Sequence, residues 1–158
     1  MLNEVFYLDK LKDGQVIKLK EFLVDEHNYY IVTDVYDMNL FWYMQKYSQK
    51  ITEDNMRDIF EKLVDAVNFC HFYGVLHGDL KPENVLVNVS HEGTIKDLVL
   101  CDFGTAISDE IPSNMSNIGT AGYQAPELFQ DDSILNHKYD CWSLGVILFN
   151  LTTGTMPF

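Results

Sequence analysis

His77-Gly78-Asp79-Leu80-Lys81-Pro82-Glu83-Asn84-Val85-Leu86-Val87 is the stretch on which the reading of this 158-residue chain turns. It sets an acid, a lysine and an asparagine on one tight loop between a helix and a strand. The helix lies upstream: Thr52, followed by Glu53 and Asp54, offers a capping hydroxyl and negative charge where unpaired backbone N–H groups need both. Met56, Ile59, Phe60, Leu63, Val64, Val67 and Cys70 then form one apolar stripe, and Gly74 supplies the stop. Downstream, Val85 to Val89 and Asp97 to Asp102 read as two short strands joined by the polar turn Ser90-His91-Glu92-Gly93.

Working outward, Val5, Leu8 and Leu11 recur at helical spacing and predict a first helix closed by Gly14. Val16 to Val24 and Tyr29 to Val35 predict an antiparallel strand pair around Asp25-Glu26-His27-Asn28. Ser108 to Ala121 is rich in Ser, Asn and Gly without periodicity and is expected to be a long functional loop. A last helix is expected from about Tyr139 to Leu151, before Gly154 and Pro157.

Composition narrows the function classes. A hydrophobic content of 47% allows one sizeable core. The net charge of −13 argues against a nucleic-acid partner, because phosphate backbones are bound by clustered Lys and Arg. Cys70, Cys101 and Cys141 are widely spaced, which indicates neither a disulfide framework nor a zinc site and points to a reducing compartment. Met1 to Gly14 lacks the pattern of a signal peptide, and the uncharged run from Cys141 to Phe158 carries too many polar residues for a membrane span. The expected location is therefore intracellular, cytoplasmic or nuclear, with no membrane partner.

The loop residues carry a specific chemistry. In-line attack on a γ-phosphate needs a carboxylate to position the incoming hydroxyl and accept its proton, a cation to balance charge, and a metal ligand. Asp79, Lys81 and Asn84 supply these in that order. Asp102-Phe103-Gly104 follows the next strand, with a second carboxylate suited to bridge magnesium to nucleotide phosphates and a glycine suited to a sharp turn. Ala125-Pro126-Glu127 follows the long loop.

With these ordered motifs the chain resembles the eukaryotic-type serine/threonine protein kinase family. The resemblance covers essentially the whole sequence. His77-Gly78-Asp79 is similar to the catalytic-loop motif, Asp102-Phe103-Gly104 to the metal-binding motif, and Gly119-Thr120 to Glu127 to the end of the activation segment. Asp140 to Gly145 is similar to the start of the central buried helix. The resemblance implies an α+β kinase-like fold, with residues 1–35 a remnant of the N-lobe, one helix and a strand pair, and residues 36–158 the core of the helical C-lobe.

It also implies the site. Asp79, Lys81, Asn84 and Thr120 would be catalytic, with Thr120 bonded toward Asp79 and Lys81. Asn84 and Asp102 would hold Mg2+. ATP would meet Glu4, which pairs an ATP-anchoring lysine in the family, then Thr33 as gatekeeper, Asp34 to Tyr36 as hinge, and Leu86 and Asp102. Leu8, Leu19, His77, Phe103 and Asp140 match one internal stack of side chains, and Leu40, Leu86, Ile147 and Leu151 a second. Lys81 and Thr120 are similar to the serine/threonine-specific form.

The sequence departs from the pattern in three ways. It contains no G-x-G-x-x-G and begins inside the helix carrying Glu4. It stops after the central helix, so Glu127 is expected to lack its arginine partner. Gly78 stands where regulated kinases carry an arginine, so phosphate at Ser116 is expected to order little. The expected activity is ATP- and magnesium-dependent transfer to Ser/Thr hydroxyls of protein substrates, as part of a longer kinase. The alternative is a truncated kinase-like binding or regulatory module that docks on another kinase or regulatory chain. A small-molecule phosphotransferase, which shares a His-Gly-Asp loop, fits neither Asp102-Phe103-Gly104 nor Ala125-Pro126-Glu127.

Overall fold

The structure, a computed structural model, describes residues 2–108, 111–112, 118–130 and 134–158. It opens with helix α1 (Leu2–Lys10) and the antiparallel pair β1 (Leu19–Val24) and β2 (Tyr29–Thr33), in register Leu23↔Tyr30. The turn between them is fixed by Asp25, whose Oδ1 accepts from the backbone N–H of His27 and Asn28 at 2.7 Å each. The first strand is shorter than the apolar run predicted. Val16 leaves it to bridge Leu100, and Ile17 N donates to Leu100 O at 2.8 Å.

Next come β3 (Met38–Asn39), α2 (Leu40–Tyr47) and α3 (Glu53–Phe72). Helix α2 is not expected from the sequence, because Leu40-Phe41-Trp42-Tyr43 is an aromatic run with weak helix propensity. Tertiary contacts override that weakness. Asn39 caps the helix by accepting from Trp42 N at 3.0 Å, and the buried Tyr43 donates its hydroxyl to Gly93 O at 2.8 Å. On α3, Thr52 caps Asn55 N as predicted, while the stripe is rotated slightly: Ala66 is buried and Val64 is exposed.

The chain continues through β4 (Val75–Leu76), a 3-10 turn (Pro82–Asn84), β5 (Val85–Val89) and β6 (Ile95–Leu100). β5 lies between β3 and β6, and the Asn84 carbonyl accepts from Cys101 N at 3.0 Å, which closes the open end of the hairpin. The expected long loop is partly structured. β7 (Ile107–Ser108) pairs with β4, and β8 (Ile111–Pro112) pairs with β9 (Ile134–Leu135). Ser116 lies outside the described residues. Helix α4 (Lys138–Thr153) is the last element described.

One apolar cluster joins Leu8 and Leu11 of α1, Ile59 and Leu63 of α3, Val85 and Leu98 of the central sheet, Phe103, and Ile147 and Leu151 of α4. Members of both predicted stacks, Leu8 and Phe103, Leu40, Ile147 and Leu151, are buried in it. A fully buried side chain of this size contributes about 1.5–3 kcal/mol, so this cluster sets the positions of the elements that flank the loop at Asp79. Cys70, Cys101 and Cys141 are all free thiols. Among the described residues no helix is long and apolar enough to cross a membrane.

Candidate active site

Asp79 stands at the centre of a closed polar cluster. Lys81 Nζ donates to Asp79 Oδ2 at 2.8 Å and to Thr120 Oγ1 at 2.7 Å, and Thr120 donates to Asp79 Oδ1 at 2.7 Å. Asn84 Nδ2 donates to the Asp79 carbonyl at 2.9 Å and more weakly to Oδ2 at 3.3 Å. Burial pushes the Asp79 carboxyl up, but the hydrogen bonds from Lys81 and Thr120 and the Lys81 charge outweigh it, so its pKa is lowered. The carboxylate is ionised at neutral pH and already aligned.

The backbone that presents Asp79 is held from within. Asp140, fully buried, accepts from His77 N at 2.9 Å and Gly78 N at 3.1 Å, and from His71 Nε2 at 2.8 Å. His77 is also fully buried; it donates through Nε2 to Cys101 O at 3.0 Å and packs at a tilt against Phe103, with ring centroids 4.8 Å apart. It is the core histidine its sequence position suggested. Gly78 has φ +81, and a Cβ there would meet the Thr105 carbonyl oxygen at 3.0 Å, so this backbone disfavours any side chain.

Asp102 follows β6 with φ 63 and an exposed side chain. The sharp turn expected from Gly104 is therefore made by Asp102, a strained conformation of the kind concentrated at functional sites. Glu4 lies close enough to interact: its pKa is raised by burial and then by the Asp102 charge. Burial, followed by the charges of Asp102 and Glu4, pushes the Cys101 thiol between them up to about 12. The side chain of Asn3 clips α1 to this turn, donating to Ala106 O at 2.7 Å. Asn84 and Asp102, at the two ends of the β5–β6 hairpin, offer an amide oxygen and a carboxylate, the hard oxygen ligands that magnesium takes in small number alongside water and phosphate. No group of three or more His, Cys, Asp and Glu suited to a metal occurs among the described residues.

Of the residues expected on the adenine side, Thr33, Asp34 and Tyr36 lie on the short strip from the end of β2 to β3, and Leu86 lies on β5, which pairs with β3. Thr33 ends β2 half-buried, its hydroxyl donating to Asp34 O at 3.2 Å. Asp34 pairs with Lys20 at 2.8 Å on the surface. Tyr36 is hydrogen-bonded to Asp97, and burial together with the charges of Asp97 and Asp34 pushes its phenol up to about 12. Leu86 pairs with Asn39 and Val99 across the central sheet, and Asp37 ties the strip to that sheet by accepting from Val89 N at 2.8 Å. Glu127, expected to lack a partner, is half-buried and engaged.

Two residues of the scaffold around the site, His71 and Tyr139, are not singled out by the sequence: His71 is one more polar position on α3, and Tyr139 the first turn of an apolar helix. The adjoining Asp140 was the available signal for both, since a buried acid needs donors and its neighbours are placed to reach the same loops.

A model of the protein kinase domain matches residues 1–158. The chain belongs to the protein kinase domain family. It is similar to CBL-interacting protein kinase 29 of Oryza sativa subsp. japonica, at 34% identity over 99% of this chain and 34% of that protein. It is likewise similar to CBL-interacting serine/threonine-protein kinase 19 of Arabidopsis thaliana, at 36% identity over 99% of this chain and 32% of that protein. The chain thus spans about a third of the length of the relatives it matches. The α+β architecture agrees with the kinase family: helices around small antiparallel sheets, with the polar cluster at the loop before β5.

Proposed function

We propose that this kinase-family chain carries the machinery for ATP- and magnesium-dependent transfer of a γ-phosphate to serine or threonine hydroxyls of protein substrates. The observation that carries the reading is the closed cluster of Asp79, Lys81, Asn84 and Thr120. Asp79 orients the incoming hydroxyl and accepts its proton while the oxygen bonds to the γ-phosphorus and the bond to the β-phosphate oxygen breaks. Lys81 holds the Asp79 carboxylate through Oδ2 and brings positive charge to the transferring group. Thr120 couples the substrate-side loop to that carboxylate.

Asn84 and Asp102 would hold magnesium, which when bound supplies positive charge to the phosphate oxygens. Thr33, Asp34, Tyr36 and Leu86 would face adenine, and Glu4 would act beside Asp102. The proposed division is into residues 1–35 and 36–158; the separate β1–β2 sheet supports it, while Leu8, Leu11 and Val16 belong to the common apolar cluster and couple the two parts. The proposed partners are a protein substrate and a regulatory chain, the latter because the relatives above are named for interaction with CBL. Three free cysteines support a reducing, intracellular location.

The test is to purify the full-length protein and follow transfer of labelled phosphate from magnesium ATP to protamine and casein. Transfer is expected, and Asp102→Asn should lower it about a hundredfold or more. Nucleotide binding without transfer by the parent would contradict the reading and favour a binding module.

A further inference from the structure

Two consecutive residues at the start of α4 reach the two halves of the polar cluster. Asp140 takes the half that carries Asp79, through His77 N and Gly78 N. Tyr139, only 1% exposed, takes the half that carries Thr120: its hydroxyl donates to Ile118 O at 3.2 Å. Gln124 Nε2 donates to the same carbonyl at 3.0 Å. Room for the phenol is made by Gly119, where a Cβ would lie 2.4 Å from the Tyr139 hydroxyl and where φ is +84. Gly119 is thus required by its neighbour as well as by its backbone.

Adjacent residues on a helix rise by about 1.5 Å and are held rigidly by the ladder of backbone bonds. The rest of α4 is anchored in the main core through Ile147 and Leu151. The offset between the two loops is therefore set by one rigid turn. Resting on the phosphotransfer reading above, we propose that Tyr139 is a positioning residue: through Ile118 O it fixes Gly119 so that Thr120 Oγ1 stays within bonding distance of both Asp79 and Lys81. Ile118 O can only accept, so the phenol must remain protonated. Burial, and then the charges of Asp140, Asp79 and Glu127, raise its pKa and keep it a donor throughout the working pH range.

In the full-length protein, Tyr139→Phe keeps the ring and removes only the donor. With protamine as substrate, kcat should fall about five- to tenfold while KM for ATP changes less than about twofold, since one buried hydrogen bond is lost and the nucleotide side is untouched. Because Tyr139 acts through Thr120, the double variant with Thr120→Ala should be no slower than Thr120→Ala alone. Amide hydrogen exchange should quicken in the peptide covering 118–124 and stay unchanged in α3. Unchanged kcat, or losses that multiply in the double variant, would overturn the proposal. Should the parent transfer no phosphate, the function reading fails by itself, and exchange at 118–124 decides: faster exchange in Tyr139→Phe upholds the clamp, and unchanged exchange refutes it.

Discussion

Two hairpins in this protein are built from the same local pattern and meet opposite fates. β1–β2 turns through Asp25 to Asn28 and β5–β6 through Ser90 to Gly93, both polar turns between apolar runs. In β1–β2 no residue is fully buried, and Leu23, Tyr29, Tyr30 and Val32 stand 40% to 52% exposed. In β5–β6, Val85, Val87, Leu98 and Leu100 are at most 1% exposed, packed among α1, α3 and α4. A hairpin is thus locally encoded, but its rigidity comes from what covers it. The proposed metal ligands flank the covered one: Asn84 precedes β5, Asp102 follows β6, and the bond from Cys101 N to Asn84 O holds the two ends together.

The contrast can be broken at the point where burial and polarity combine. Asp140→Ala leaves two buried backbone N–H groups of the catalytic loop without an acceptor, and unfolding in urea should show a loss of about 3–5 kcal/mol. A loss under about 1 kcal/mol would mean that the loop is held elsewhere. It can be sharpened by matched truncations. Leu98→Ala on β6 should cost about 2–5 kcal/mol, whereas Leu23→Ala on β1 should cost less than about 1 kcal/mol. Equal costs would show that β1–β2 is covered in solution.

The smallest effect concerns charge at the seam between α1 and the Asp102 turn. The folded pKa of Glu4 is raised by burial and then by Asp102, so its negative charge opposes folding above that pKa, and the penalty disappears as pH falls below the unfolded value. Glu4→Gln should therefore stabilise slightly near pH 7.5, an effect reduced by solvent screening of this partly exposed group, and not at all near pH 4. Thermal melts at the two pH values check the sign. Destabilisation at pH 7.5 would place Glu4 in a favourable pairing instead.

Much of this was legible in the sequence because short-range chemistry decided it. Thr52, Gly74 and the polar turns punctuate the chain with local hydrogen bonds and backbone freedom. Asp79, Lys81 and Asn84 fall within one loop whose spacing already fixes their proximity. What stayed hidden depends on partners far along the chain. Helix α2 is held by Tyr43 reaching Gly93, which no local pattern in Leu40–Tyr47 announces. The left-handed backbone at Asp102 rather than Gly104 reflects tertiary constraint over residue preference. Thr120 meets Asp79 across 41 positions, and only its motif context pointed there.

The proposed phosphotransfer rests on Asp79 accepting the proton of the attacking hydroxyl within a cluster that folding has already assembled. Asp79→Asn in the full-length protein preserves size and leaves Lys81 and Thr120 in reach while removing the base. Phosphate transfer to a protein substrate at saturating magnesium ATP is predicted to fall by a factor of about a hundred or more, with nucleotide affinity changed little. Turnover within about threefold of the parent would contradict the account.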